Sequence, residues 1–283
     1  HVKVRYRGCR QCPKKSHKIK FNRHEYLREM RTLDFDHDYP VSQGVWSSLF
    51  WLVGQDNIAS DPARLIRNGQ FYGVFLTQES PNRSWLERHG RDPDTELYKA
   101  KSSGGQLNGV PGFDANLIYH ANLADYPLMY IRRGDSLESF VNLQTFSRSL
   151  AQTSNSLLPS YMENNMFLND WLYRWTLHTT APHCDFHNKN YYIMRTSEGV
   201  WDVVYFDYDR FWGCLFFPMG ANDRPCHSIN TDPFCSGNLA NWSIRDNTTL
   251  RREYLKRLRD VVENILVEEN VIPRLDRAFE RTI

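Results

Sequence analysis

The chain has 283 residues, 41% of them hydrophobic, enough to bury a sizeable core in one large domain or two lobes. Lys and Arg number 35 against 33 Asp and Glu, and the resulting net charge of +2 lacks the basic excess of a general nucleic-acid binder. No apolar run is long enough to span a membrane and the mean hydropathy is −0.61, so a soluble globular protein is expected. The sequence opens on His1 with no charged-then-apolar leader, as expected of a chain from which an N-terminal segment has been removed.

Residues 2–6 alternate, residues 16–21 alternate again, and Gly8 and Pro13 break the interval, which predicts two strands joined by a basic loop. Arg7, Arg10, Lys14, Lys15 and Lys18 on this segment could cradle phosphates if it faces a cleft. A solvated basic edge strand, guarded by lysine against aggregation, accounts for them equally well. Cys9 and Cys12 have the spacing of half a zinc site, but no second pair follows, which favours a local disulfide or two free thiols.

Ser42 is placed to cap a helix over 43–53 that stops at Gly54. Residues 64–67 and 70–78 are strand-like and flank Asn68-Gly69, the strongest short-range hairpin signal in the chain. Glu79 closes the second strand, where it meets either a lysine or nucleotide group or solvent. A short helix is predicted over 85–89 and a strand over 96–100, which enters a Gly/Ser-rich loop at 102–112. That loop is the expected lobe boundary and has the length of a lid over a site. Helices follow over 136–150 and 162–178, their aromatic residues read as core.

Residues 183–209 hold several polar and acidic residues between strand-like runs, the layout of an active-site hairpin. His183, Asp185 and Asn190 fit HxDxxxxN, the spacing in which a kinase uses Asp as the base for the acceptor hydroxyl and Asn as a metal ligand. Asp207 and Asp209 end the next strand, where a second hard oxygen donor for magnesium is needed. Residues 218–237 lack periodicity and read as an irregular insert, which a Cys226–Cys235 disulfide could close. Asn247 caps a helix with Leu250, Tyr254, Leu258, Val261 and Ile265 on one face, and residues 271–281 repeat the pattern, so a helical pair ends the chain. Three sequons, at Asn82, Asn241 and Asn247, slightly favour a secreted or surface location over a cytoplasmic one.

Taken in order, Arg7-Gly8 with the run 13–21, Asn68-Gly69 with Tyr72-Gly73 and Glu79, Leu97-Tyr98-Lys99, Asn190-Tyr191-Tyr192, Asp207-Tyr208-Asp209 and Gly213 resemble the spore coat protein H (CotH) kinase family of atypical protein kinases. The resemblance implies an α+β, kinase-like two-lobed fold in a single domain over 1–283. Its small, mostly β N-terminal lobe would run to about residue 105 and its larger helical C-terminal lobe from about 106. It implies an enzyme that transfers the ATP γ-phosphoryl group to Ser or Thr of a protein substrate with Mg²⁺ or Mn²⁺. On this resemblance Asp185 is the catalytic base, Asn190 and Asp207 are magnesium ligands, and Asp209 is a supporting or alternative metal carboxylate. Lys14, Lys15 and Lys18 form the phosphate clamp, with no choice among them, and Glu79 and Lys99 join them at the nucleotide. Tyr98 and Trp201 are the aromatic residues to sandwich adenine, with ordinary core packing as the alternative.

The chain departs from the family pattern at Tyr205-Phe206, where Pro-Trp is common, and at Cys184 and Phe186 beside Asp185. These changes bear on substrate and metal preference more than on the nucleotide fold. A catalytically silent pseudokinase or surface interaction module of the same fold is the alternative, against which Asp185, Asn190 and Asp207 are all present. A metal-dependent hydrolase built on His183, Asp185 and His187 lacks further ligands at recognisable spacing.

Overall fold

The computed structural model describes residues 2–7, 14–22, 27, 30–54, 57–101, 115–133, 140–180, 190–208 and 238–283. Alternation builds its first sheet. β1 (Lys3–Arg7) and β2 (Ser16–Lys20) pair antiparallel from Lys3↔Lys20 to Arg7↔Ser16, as the sequence predicts. β3 (Thr32–Asp36) follows, a strand that is not anticipated because aspartate at alternate positions disfavours one. It forms because Arg7 and Lys18 meet those carboxylates, leaving Asp34 and Asp36 buried with Leu33.

α1 (Pro40–Phe50) begins earlier than a Ser42 cap allows. Pro40 takes the first helical positions, where its fixed φ and missing N–H cost nothing, and Tyr39 serves as N-cap with φ of 42°. Gly54, at φ of 68°, ends the helical path as expected. β4 (Ser60–Arg67) and β5 (Gln70–Glu79) are joined by Asn68 and Gly69, whose φ values of 51° and 77° are those of a tight primed turn. The five strands lie in the order β1-β2-β3-β5-β4, all antiparallel. α2 (Arg83–Arg88) is capped by Asn82, which accepts from Ser84 and Trp85 backbone N–H groups.

The described residues form two compact units, one drawn from His1–Pro93, Asp207–Asp209 and Glu263–Ile283, the other from Asp94–Phe206 and Arg210–Val262. The division at Pro93 falls ahead of the Gly/Ser-rich loop expected to mark it near residue 105; residues 102–112 lie outside the described residues.

The second unit carries its own four-stranded antiparallel sheet. Its strands are β6 (Glu96–Ala100), β7 (Tyr130–Arg133), β8 (Tyr191–Arg195) and β9 (Trp201–Tyr205), in the order β7-β6-β8-β9. β6 belongs to this unit because it is hydrogen-bonded on both edges, to β7 and β8. The helices are α3 (Tyr126–Met129), α4 (Val141–Gln152), α5 (Leu158–Asn165), α6 (Leu168–Thr180), α7 (Leu239–Asp246) and α8 (Thr248–Asp260). The helix expected over 136–150 is described only from Val141, with residues 134–139 outside the described residues.

The single helix expected over 162–178 is two. Met166 turns extended, with φ of −138° and ψ of 151°, to bridge Trp201 in parallel, and Phe167 N–H donates to the Trp201 carbonyl at 2.9 Å. Helical spacing reads through this break because the partner that makes it lies on β9. α8 starts at Asn247 as expected, its side chain accepting from Thr249 and Leu250 N–H groups. α9 (Glu268–Glu280) completes the helices. The chain closes on two helices, as expected. Tyr254 of α8 packs its ring 4.2 Å from that of Trp175 on α6, whereas α9 lies against α1 in the first unit. Among the described residues no helix is long and apolar enough to cross a membrane. The insert at 218–237 and all six cysteines lie outside the described residues.

Candidate active site

In the first unit the basic residues of β1 and β2 meet the acidic face of β3. Lys18 Nζ donates to Asp34 Oδ2 at 3.1 Å and to Ser80 Oγ at 2.7 Å, and Arg7 reaches Asp34 at 2.8 Å and Asp36 at 3.4 Å. Lys14 Nζ donates to the Val74 carbonyl at 2.5 Å and lies 4.3 Å from the centroid of the Phe75 ring. Gly73 leaves the room: at φ of 149°, a Cβ there would sit 2.9 Å from Lys14 Cε. Burial holds the Lys14 ammonium below its usual range, and Asp38 pulls the other way. Lys15 is half-buried at the approach to β2. The three lysines thus share one strand approach, and Lys18 is held by the Asp34 carboxylate.

Glu79 is buried and pairs with Arg88 of α2, whose Nε lies 3.1 Å from Glu79 Oε1. The partner is an arginine from the next helix rather than a lysine, and the strand end is not solvated. Asp36, His37 and Asp38 hold their ligand atoms within 4.8 Å of one another. Arg7 and Ser16 already engage Asp36, so a cation there would compete with a guanidinium.

In the second unit the β8–β9 hairpin is formed as expected, in register from Tyr191↔Tyr205 to Arg195↔Trp201. Asn190 directly precedes it, and the Phe206 N–H donates to the Asn190 carbonyl at 2.9 Å, one step beyond the ladder. Asn190 is buried and has φ of 60°; Asp207, next after Phe206, has φ of 68°. The left-handed region costs Gly, Asn and Asp less than β-branched residues, so the backbone at these two positions is compatible with the types found there. Phe206 is fixed by the Lys99 ammonium 4.5 Å over its ring and by the Tyr192 ring at 5.2 Å. Tyr208 is fixed in the first unit, where its hydroxyl donates to Asn57 Oδ1 at 3.0 Å and its ring stacks on Phe50. Asp207 therefore lies between two anchored neighbours. An amide and a carboxylate oxygen are donor types that a hard divalent cation takes.

Tyr98 and Trp201 are core. Both are buried, they stack on each other at 6.2 Å, Trp201 stacks on Phe146 at 4.6 Å, and the Tyr98 hydroxyl donates to Glu96 at 2.6 Å. Their ring faces are already covered by protein, which removes the adenine sandwich. Burial, with Glu96 adding to it, pushes the Tyr98 phenol far above its usual range, so it stays neutral. Asp185 and Asp209, with His183 and His187, lie outside the described residues.

The structure adds residues that sequence reasoning missed: Asp34 and Asp36 opposite the lysines, Arg88 on Glu79, and a fully buried ion pair between Arg174 of α6 and Asp202 of β9. Asp202 Oδ1 also accepts from Val203 N–H at 2.8 Å, so α6 holds the second hairpin strand by a charge. Neither the acids of β3 nor this pair was legible in the sequence: the alternate acids of 32–36 count against a strand, and Arg174 is a lone arginine among the aromatics of α6.

Residues 4–282 match a family model described as CotH kinase protein. No curated protein matches the chain. Among solved structures, the proinflammatory kinase CtkA of Helicobacter pylori aligns with a TM-score of 0.37 and 9% identity, over 94% of this chain and 90% of that one. A chain from the HipA, HipB and operator DNA complex of the Shewanella oneidensis MR-1 toxin–antitoxin system aligns with a TM-score of 0.33 and 15% identity, over 89% of this chain and 57% of that one.

Proposed function

Because the chain belongs to the CotH kinase family, we propose that it is an atypical protein kinase, two-lobed in the kinase manner, that moves the γ-phosphoryl group of ATP to a Ser or Thr hydroxyl of a protein. The observation that carries the reading is the family match over residues 4–282, nearly the whole chain. The backbone at Asn190 and Asp207 supports it, since both adopt a conformation that favours the residue types a metal site needs. Asp185 accepts the proton of the acceptor hydroxyl as its oxygen bonds to the γ-phosphorus and the bond to ADP breaks. Asn190 and Asp207 would hold a divalent ion, with Asp209 in support, and such an ion would offset charge on the phosphate oxygens. Lys14, Lys15 and Lys18 remain the candidates to meet phosphate, and Lys99, anchored over Phe206, steadies the residue before Asp207. The proposed secreted or surface location rests on Asn82 and on Cys226 and Cys235, because Asn241 and Asn247 are buried in the core.

The test is transfer of radiolabel from ATP to a Ser/Thr-rich protein with Mg²⁺ or Mn²⁺. Asp185→Ala is expected to lower the rate by about 10²–10⁴-fold, the scale of a lost general base. Equal transfer by wild type and Asp185→Ala, or a wild type whose melting temperature is indifferent to nucleotide, would overturn the reading. Nucleotide binding without transfer to any substrate identifies the silent alternative, and zinc-dependent ester hydrolysis indifferent to ATP identifies the hydrolase.

A further inference from the structure

The first unit has a cleft of about 690 Å³ walled by α1, β4 and α9. Its volume falls in the range of small-molecule sites. Arg274, Arg277 and Arg281 recur at i, i+3 and i+7 on α9 and all line it. Arg281 pairs with Asp61 of β4. Among the described residues, neither Arg274 nor Arg277 forms an ion pair with a carboxylate. Arg274 is half-buried and its Nη1 donates to the Asn270 carbonyl at 2.7 Å, which fixes the guanidinium on the wall. Burial, and then the like charge of Arg277, hold the Arg274 guanidinium below its usual range.

We propose that this cleft binds an organic phosphomonoester, its phosphate held by Arg274 and Arg277 and its carbon body resting on Pro62, Pro273 and Ala278. A phosphomonoester carries close to two negative charges at neutral pH, which balances two guanidinium groups, and its oxygens match their forked donors. Asp276 and Glu280 line the same cleft and repel further anionic groups, which disfavours polyphosphates and acidic peptides. Pro62 and Ala278 give the floor an apolar surface that inorganic phosphate cannot use.

Calorimetric titration of the full chain with glycerol 3-phosphate, with a phosphoserine peptide, with its unphosphorylated counterpart and with inorganic phosphate tests this. At least one organic ester is expected to bind, and the tighter of the two identifies the source. The unphosphorylated peptide and inorganic phosphate are each expected to bind at least 10-fold more weakly. Arg274→Gln with Arg277→Gln is expected to weaken the ester by 10-fold or more, and Arg277→Gln alone, at an exposed side chain, reads the same direction if the double variant fails to fold. Excess Mg-ATP is expected to leave ester binding unchanged. No ester binding, equal binding of inorganic phosphate, displacement by Mg-ATP, or affinity unchanged in Arg277→Gln would each overturn the proposal.

Discussion

Lys18 stands between a phosphate-binding role and a structural one, and its geometry shows the structural one. Its ammonium holds Asp34 on β3 and Ser80 just past β5, so it ties the strands on either side of that acidic face. Lys18→Met keeps the stem but removes those bonds, and should lower stability by about 1–2 kcal/mol in urea unfolding, as lost charge-assisted hydrogen bonds do. His17, next along β2, packs against the rings of Tyr6, Tyr72 and Phe75. Burial lowers its pKa, Arg67 adds to that, and a hydrogen bond that the ring donates to the Lys15 backbone opposes it. With the folded value depressed, the unfolded chain binds the proton first, so the stability His17 contributes is full above pH of about 6.5 and falls as pH drops toward the folded value. His17→Gln should therefore flatten the fall of the melting temperature as pH drops below about 6.5, relative to wild type; an unchanged slope would refute this account.

At the scale of elements, Gly44 decides how closely α1 can lie on β4. A Cβ there would sit 2.6 Å from Pro62 Cδ, a ring held in a strand, not a flexible tip. Alanine gains about 1 kcal/mol in helix propensity at an interior position. Overpacking costs about 1–3 kcal/mol, so the clash sets the sign. Gly44→Ala is expected to lower the denaturation midpoint, with an unchanged m-value; a raised midpoint would show that Pro62 yields. The hairpins and caps were legible from sequence. Asn68-Gly69 and Asn247 act through their own backbone and need no partner elsewhere in the chain. β3 was not legible, because its aspartates count against a strand until Arg7 and Lys18 neutralise them. The break between α5 and α6 was hidden for the same kind of reason, since Trp201 makes it.

For the whole molecule the buried Arg174–Asp202 pair matters most, since it joins the helix layer of the second unit to the hairpin that precedes Asp207. Arg174→Met leaves Asp202 buried without its cation and should cost about 3–5 kcal/mol, whereas Arg174→Met with Asp202→Leu should recover most of that loss. A double variant no more stable than the single one, by calorimetric melting, would mean the pair is not the joint. By itself the sequence determined the antiparallel hairpins, most helices and the family, because turn chemistry, capping and short motifs are local. Only the tertiary structure decided that Tyr98 and Trp201 are core, that Glu79 belongs to Arg88, and that β6 sits with the second sheet. A side chain's role there depends on which faces and charges are already taken, and the groups that take them come from other elements of the chain.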